Sequence, residues 1–359
     1  MAGDAPQLAE LETKIGASKG LAAWLARNNT SFAVSSYQSN RLILVGTMPD
    51  GTVSVHQTTL SRVMGMSWDR NGLWLASRVQ LWRLENILPE GTLFEGTFDL
   101  RLMPRTTYIT GDIDVHELAA DVEGRPVFVN TSFSCLATID PVHSFRPVWK
   151  PKFITALERE DRCHMNGLGM VDGRAKYVTA VSQTDVANGW HGRPLPKGVI
   201  IDVETDEVVT DQLSMPHSPR VAADGKLYAL DSARGYFVEV DRKSGELRDV
   251  TFCPGFLRGL AFINGHALVT VSKPRYGKFD EMAIADELNS RGLDPICGVM
   301  VIELATGAIV EWLRLDGDVQ ELFAVEAMPG VKCPMSVGPV TEEFPDTITF
   351  DSEVRTLED

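Results

Sequence analysis

Three histidines stand in short polar clusters that each precede an apolar run, a Gly turn and a β-rich segment: Gly111-Asp112-Ile113-Asp114-Val115-His116-Glu117-Leu118, Cys163-His164-Met165-Asn166-Gly167-Leu168 and Met215-Pro216-His217-Ser218-Pro219-Arg220. A neutral imidazole offers one ring nitrogen to a metal or a proton while the other is held by a hydrogen bond. Three imidazoles converging from rigid elements would fill one side of a divalent ion and leave positions open for water or substrate. Zinc, iron, manganese and copper all suit such a set, and imidazole alone does not choose among them. Direct contact with a substrate and a purely hydrogen-bonded structural role are the other two readings of the trio.

Around these histidines lie groups that could share a site. Glu117, next to His116, and Glu321, at the corresponding place of a later segment, are candidate acid/base groups or supports for a metal ligand; as polar caps at strand entrances they would do no chemistry. Asp112 and Asp114 are weaker candidates of the same kind. Arg62, Arg220 and Arg258 also fall at strand entrances, and arginine forks match carboxylate or phosphate oxygens. Salt bridges from these arginines to Glu117, Glu321 and the entrance aspartates are the competing reading. Asn166 completes the polar set. Two long insertions add Asp185, Trp190, His191 and Arg193 (residues 183–198) and Lys273, Arg275 and Tyr276 (residues 273–298), the second with a helical piece from Phe279 to Arg291. Loops of this length in a compact domain usually serve function or are disordered, and these carry aromatic and basic groups.

What positions these residues is a repeat. From Ser31 onward the chain reads as short β-rich runs separated by Ser-Asn, Pro-Asp-Gly and Asn-Gly turns. First strands open near residues 62, 114, 164, 217, 256 and 318, second strands end at Thr131-Ser132, Val181-Ser182, Asp231-Ser232 and Val271-Ser272, and third strands close on Glu85, Asp140, Asp202, Asp241 and Glu303. Units of about four strands at this spacing are propeller blades. The sixth unit is short, and the three strands between residues 31 and 59 supply what it lacks, which removes the exposed edges of an open array. The expectation is an all-β, six-bladed β-propeller over residues 31–338, closed by N-terminal strands, with the chemistry at the face where first strands begin. Aligning the units on their apolar runs puts His164 and His217 in one slot, and His116 two residues further along, level with Asn166 and Arg258.

Ala5 to Arg27 carries apolar residues at helical spacing, so residues 1–30 read as an amphipathic helix packed on the body. Within it, Gly16-Ala17-Ser18-Lys19-Gly20 matches G-x-S-x-G without the preceding strand that would give the match meaning. Residues 339–359 form an acidic, solvated tail or a strap across the body.

Composition narrows the function classes. The formal charge of −15 opposes general binding to a phosphate backbone, so nucleic acid is not an expected partner. The five cysteines are scattered and lack a C-x-x-C pair, as buried free thiols would be. With no apolar run long enough to span a bilayer and no basic, apolar leader, a soluble cytoplasmic protein is expected. Oligomeric state is open.

Phe128-Val129-Asn130-Thr131-Ser132-Phe133-Ser134-Cys135-Leu136, Phe145-Arg146-Pro147-Val148-Trp149-Lys150-Pro151, Glu160-Asp161-Arg162-Cys163-His164-Met165-Asn166-Gly167-Leu168, Met215-Pro216-His217-Ser218-Pro219-Arg220 and Pro254-Gly255-Phe256-Leu257-Arg258-Gly259-Leu260 resemble a bacterial family described as a domain of unknown function. The resemblance runs from about Ser31 to Gly338 and implies a β-propeller without implying an activity. A looser likeness, of fold only, is to streptogramin lyases and plant-type glutaminyl cyclases, propellers that use His, Glu and a metal at the top of the channel. The functional expectation is a metal-dependent enzyme acting on a small anionic organic substrate, of lyase or isomerase type rather than oxygenase. His116, His164 and His217 would hold the metal, Glu117 or Glu321 would move a proton, and Arg220 and Arg258 would orient the substrate. A non-catalytic propeller that binds a peptide or protein is the alternative.

Overall fold

A computed structural model of the chain describes residues 13–69, 72–192, 198–275, 277–279 and 282–351. Six sheets surround one axis, and their innermost strands touch in a closed ring. These strands are Met66–Asp69, Val115–Ala120, Met165–Val171, Pro216–Val221, Phe256–Ile263 and Val325–Pro329, taken as blades 1 to 6. Blades 2, 3 and 4 are four-stranded antiparallel meanders. In blade 6 the inner strand pairs with Thr30–Ser36, followed outward by Arg41–Thr47 and Val53–Thr59, so both ends of the described chain build one sheet. The molecule is the expected six-bladed propeller. The inner strand of blade 6 starts later than residue 318, because residues 317–324 run as irregular backbone before it.

Two inner-strand glycines show why the blades can converge. A Cβ on Gly167 of blade 3 would lie 2.7 Å from Pro219 Cδ and 2.9 Å from Ser218 N of blade 4. On Gly259 of blade 5 it would lie 2.6 Å from Phe323 O and 2.7 Å from Val325 N, where blade 6 begins. Neighbouring backbones therefore approach closer than any side chain permits. Both glycines fall at breaks in the pairing register with the second strand, and such irregularities re-aim the side chains beside them.

Closure is reinforced by strands that the sequence reading did not assign. Lys14–Ala17 adds a fifth, antiparallel strand to the outer edge of blade 5, and Pro334–Ser336 adds a parallel one to Leu100–Ile109 of blade 1. The expected helix from Ala5 is therefore corrected. Within the described residues the helix is Leu21–Asn28, Lys14–Ala17 is a strand, and residues 1–12 lie outside the description. An unpaired sheet edge offers backbone partners that outweigh weak helical periodicity, and Gly16 and Gly20 favour helix little. The helix buries Leu21, Trp24 and Leu25 against Phe32, Val34, Leu313 and Leu315, at the junction of blades 5 and 6. Each such side chain contributes on the order of 2 kcal/mol.

The fourth strand of blade 1 is Leu100–Ile109, and residues 87–99 before it form turns around a Phe94–Phe98 bridge. The tail lies along blade 1 through Arg101–Glu343 and through Arg105, which donates to Thr349 Oγ1. All five cysteines are buried and unpaired. No helix among the described residues is long and apolar enough to cross a membrane.

Candidate functional site

The registers of blades 2 to 5 place one polar residue at the same point of each inner strand. Val115, Met165, Pro216 and Leu257 face Asn130, Ala180, Asp231 and Val271 of the second strands, so the residues that follow them share a slot: His116, Asn166, His217 and Arg258. This bears out the levelling of His116 with Asn166 and Arg258 and corrects the pairing of His164 with His217. His164 sits two residues earlier, level with Asp114 and Met215, and all three have left-handed backbone, with φ of 49°, 56° and 53°. The residue after the second-strand partner is a hydroxyl in three of the four blades, Thr131, Ser232 and Ser272. Each hydroxyl bonds the polar residue of its own blade.

Those bonds determine the imidazole tautomers. Thr131 Oγ1 donates its single hydrogen to Met165 O at 2.7 Å, so the 2.9 Å contact with His116 Nδ1 requires Nδ1 to be the donor. His217 Nδ1 lies 3.0 Å from the carbonyl of Met215, which only accepts, and 2.9 Å from Ser232 Oγ. His164 Nδ1 donates to Asp161 Oδ2 at 2.8 Å. In His116 and His217 the lone pair is therefore left on Nε2, and in His164 the Asp161 carboxylate fixes Nδ1 as the donor. Burial pushes the His116 imidazole below its ordinary range, and the neighbouring His164 adds to this against the pull of Asp114. Burial, followed by the charge of Arg258, holds His217 well below it. Both rings are neutral at neutral pH.

His116 and His164 stand edge to face with centroids 4.9 Å apart, and Trp190 covers His164 at 4.1 Å. Trp190 Nε1 donates to the same Asp161 oxygen as His164, at 2.9 Å, so the insertion of blade 3 is tied to that imidazole. His191 stacks on Trp190. These rings line a cavity of about 460 Å³ together with Tyr37, Arg62, Met64, Asp114, Asp161, Met215, His217, Phe256, Arg258, Lys273, Arg275, Lys278, Phe279, Met282 and Phe323. A larger groove, of about 610 Å³, lies between blades 4 and 5 around Asp224, Tyr228, Arg248 and Asn264 and contains no histidine.

Five cations line the smaller cavity, in a chain with formal charge −15. Arg258 and Arg275 meet Glu321, and Lys273 meets Asp316. Among the described residues the side chains of Arg62 and Lys278 meet no acid. Tyr37 donates to Glu321, and burial raises the phenol to about 12. Burial would raise Glu321, but Arg258, Tyr37 and Arg275 outweigh it and hold the carboxyl below its ordinary value.

Glu117 and Arg220 are not in this cavity. They lie further along the inner strands, where Glu117 accepts from Leu168 N at 2.8 Å, Ser218 Oγ at 3.1 Å and the Arg220 guanidinium. Arg220 also donates to Leu168 O. Both groups are engaged by protein partners away from the cavity, so the acid/base role expected of Glu117 and the substrate-orienting role expected of Arg220 are not placed against it. Asn166 is buried with Nδ2 3.5 Å from His217 Nε2 and accepts from Thr179 Oγ1. It supports the site from behind the cavity wall. Tyr276 and Arg193 lie outside the described residues.

For a divalent metal the donors fit in kind: three imidazoles with Nδ1 tied down, as in ligating histidines, though Nε2 of His217 also meets Asn166 Nδ2. In spacing they do not close around one ion, and no group of three His, Cys, Asp or Glu side chains among the described residues does so.

The sequence reading missed Tyr37, Asp161 and the wall of Phe256, Phe279, Phe323, Met64, Met215 and Met282. Asp161 was legible as a carboxylate three residues before a histidine on a turn. Tyr37 reaches the site only because the N-terminal strands complete blade 6.

The chain matches the family model described as a domain of unknown function (DUF4915) over residues 19–337, and it belongs to that family. No curated protein matches it at a significant level. Among solved structures, a chain of a nidogen/laminin complex superposes with a TM-score of 0.52 at 10% identity, over 85% of this chain and 100% of that one. Virginiamycin B lyase from Staphylococcus aureus, in an inactive form with quinupristin, gives 0.41 at 11% identity, over 85% and 99%. Regucalcin from Agrobacterium tumefaciens, described as calcium-binding, gives 0.44 at 14%, over 69% and 73%. At such identities the likeness extends to the fold alone.

Proposed function

We propose that this member of the DUF4915 family is an enzyme that acts on a small organic anion in the cavity at the mouth of the propeller channel. The observation that supports this reading is the division of one cavity into a cationic side, around Arg258, and an imidazole side, formed by His116, His164 and His217 with Nδ1 of each ring held by the protein. Arg258 holds the anionic group of the substrate. His116, neutral and fixed by Thr131, accepts a proton from a carbon or hydroxyl placed against its Nε2. Negative charge that develops on the substrate is met by Arg62 and Lys278. Trp190, tied to Asp161, covers His164 and limits access of water. Proton abstraction with elimination or isomerisation suits this arrangement, so a lyase or isomerase is favoured over an oxygenase.

A divalent transition metal at His116, His164 and His217, which would supply Lewis-acid polarisation of a substrate oxygen, is the alternative to His116 as base: it would take the same Nε2 lone pair of His116, and the three rings would have to move to close around one ion. The proton-moving role expected of Glu321 passes to the imidazoles, because Arg258, Arg275 and Tyr37 keep that carboxylate ionised and engaged. The cavity volume suits a small molecule better than a peptide.

The test has two arms. Elemental analysis of protein purified without added metal, and again after loading, separates the two: about one transition-metal ion per chain, lost in His164→Ala, would favour the metal over His116 as base. Metal at unchanged stoichiometry in that variant, or none in the loaded wild type, removes the metal from the proposal. A screen of organic acids for turnover, repeated on His116→Gln, tests the rest. Turnover that survives His116→Gln unchanged would rule out its role as base, and a wild type that binds peptides but turns over no acid would leave the binding propeller as the better reading.

A further inference from the structure

We infer that the ligand is a planar aromatic or conjugated monocarboxylate, held by Arg258 at its carboxylate and lying along Phe256 and Phe323 toward the imidazoles. This rests on the reading of the cavity as a site for an organic anion.

The first observation is the guanidinium of Arg258. Its side chain is 11% exposed, and it has two protein acceptors, Ser272 Oγ at 3.1 Å and Glu321 Oε2 at 3.1 Å. A guanidinium carries five N–H donors, and among the described residues the remaining ones of Arg258 have no acceptor. Bare N–H groups in a buried cation are costly, and a carboxylate matches two of them at once. Three rings pack beside the fork, with centroids of Phe256 at 4.7 Å, Phe323 at 5.7 Å and Tyr37 at 5.9 Å from the guanidinium carbon. Glu321 already takes part of the positive charge here and would repel a second negative charge. A monoanion is therefore accommodated where a phosphate dianion is penalised.

The second observation is what separates the fork from the imidazoles. Phe256 meets Arg258 and also stands edge to face with His217 at 5.7 Å. Phe323 meets Arg258 and stands edge to face with His116 at 5.3 Å. Each ring thus spans both poles of the cavity, and a ligand that reaches both must lie on apolar, polarisable surface. Met64, Met215 and Met282 extend that surface, and thioethers favour contact with aromatic rings. A sugar or a short hydroxy acid would leave hydroxyls against this wall without partners. A flat unsaturated acid buries its ring there and places the atoms beyond it at the imidazoles.

Isothermal titration and saturation-transfer NMR on the full chain test this with four probes: 3-phenylpropenoate, hexanoate, 3-phenylpropenol and inorganic phosphate. The expected order is tightest binding for 3-phenylpropenoate, with the alcohol weaker by about tenfold or more and phosphate without saturable binding. Arg258→Met should weaken the aromatic acid by about tenfold or more, with only partial recovery in Arg258→Lys, whose point charge lacks the planar fork. Should Arg258→Met fail to fold, Phe323→Leu decides, since it should weaken the aromatic acid more than hexanoate. Hexanoate or phosphate binding as tightly as the aromatic acid overturns the ligand class while leaving an anion site. No saturable binding of any anion, or affinity indifferent to both substitutions, overturns the class and the proposed function together.

Discussion

The channel holds two glutamate–arginine pairs built from the same side chains, and they differ in what the arginine meets beside its glutamate: backbone carbonyls for Arg220, a serine and an open cavity for Arg258. Deep in the channel, Glu117 accepts from a backbone N–H, a serine and Arg220, and Arg220 spends a further donor on Leu168 O. At the mouth, Glu321 is held by Arg258, Arg275 and Tyr37, while Arg258 keeps donors without acceptors and borders the cavity. Backbone and side-chain partners on three neighbouring blades mark a pair that ties blades 2, 3 and 4 together. A guanidinium that borders a cavity with donors to spare marks a place where something else can bind.

The sharpest way to break this contrast is to remove each arginine. Arg220→Met should strip Glu117 of its countercharge in a buried site and cost about 3–5 kcal/mol in urea unfolding. Arg258→Met should cost under about 2 kcal/mol, because Glu321 retains Arg275 and Tyr37. Equal losses would mean that both pairs are structural.

Glu326 lies near the deep pair and sharpens the comparison through pH. Burial raises its carboxyl from 4.5 to about 7, against the pull of Arg220, and Trp68 N offers a single contact at 3.5 Å. Between about pH 4.5 and 7 the folded chain keeps a proton that the unfolded chain has lost. Its favourable contribution is therefore complete below the lower value and fades as pH rises to the higher one. Glu326→Gln should remove that decline, giving a gain of roughly 3 kcal/mol at pH 8 and little change at pH 4.5. Denaturation at the two pH values checks it, and equal effects at both would place the carboxylate in ordinary solvation.

Smaller effects should separate the hydroxyls behind the imidazoles. Thr131→Val removes bonds to both His116 and Met165 O and should cost about 1.5 kcal/mol. Ser232→Ala removes one bond, to His217, and should cost about 0.5–1 kcal/mol. The reverse order would contradict the tautomer assigned to His116. The smallest expected change in stability is that of Asp161→Asn at the turn beside Trp190, under about 0.5 kcal/mol. It should nonetheless alter Trp190 fluorescence and weaken ligand binding severalfold, because His164 and Trp190 share that carboxylate.

Much of the site was legible before any coordinates. His116, His164, His217, Arg62, Arg258, Trp190, His191, Lys273 and Arg275 were marked by polar clusters at strand entrances and by basic, aromatic insertions, and all of them line one cavity. Glu117 and Arg220 carried the same marks but lie in the deeper layer. A strand alternates its side chains and a pleat irregularity shifts them, so one or two residues along the same run separate the cavity from the channel beneath it. The slot of His164 was misread for the same reason, since its left-handed backbone places it on the turn before the strand proper.

By itself the sequence determined the repeat: apolar runs, turns and polar entrances recurring around a ring that needs the N-terminal strands to close. That information is local and periodic, so it survives without coordinates. Which polar atoms are spent and which are left bare was decided only by the tertiary structure. Tyr37 joins Glu321 across 284 positions of sequence and Ser218 joins Glu117 across 101. Pairings between blades depend on how six sheets twist around one axis, and no spacing along the chain encodes that angle.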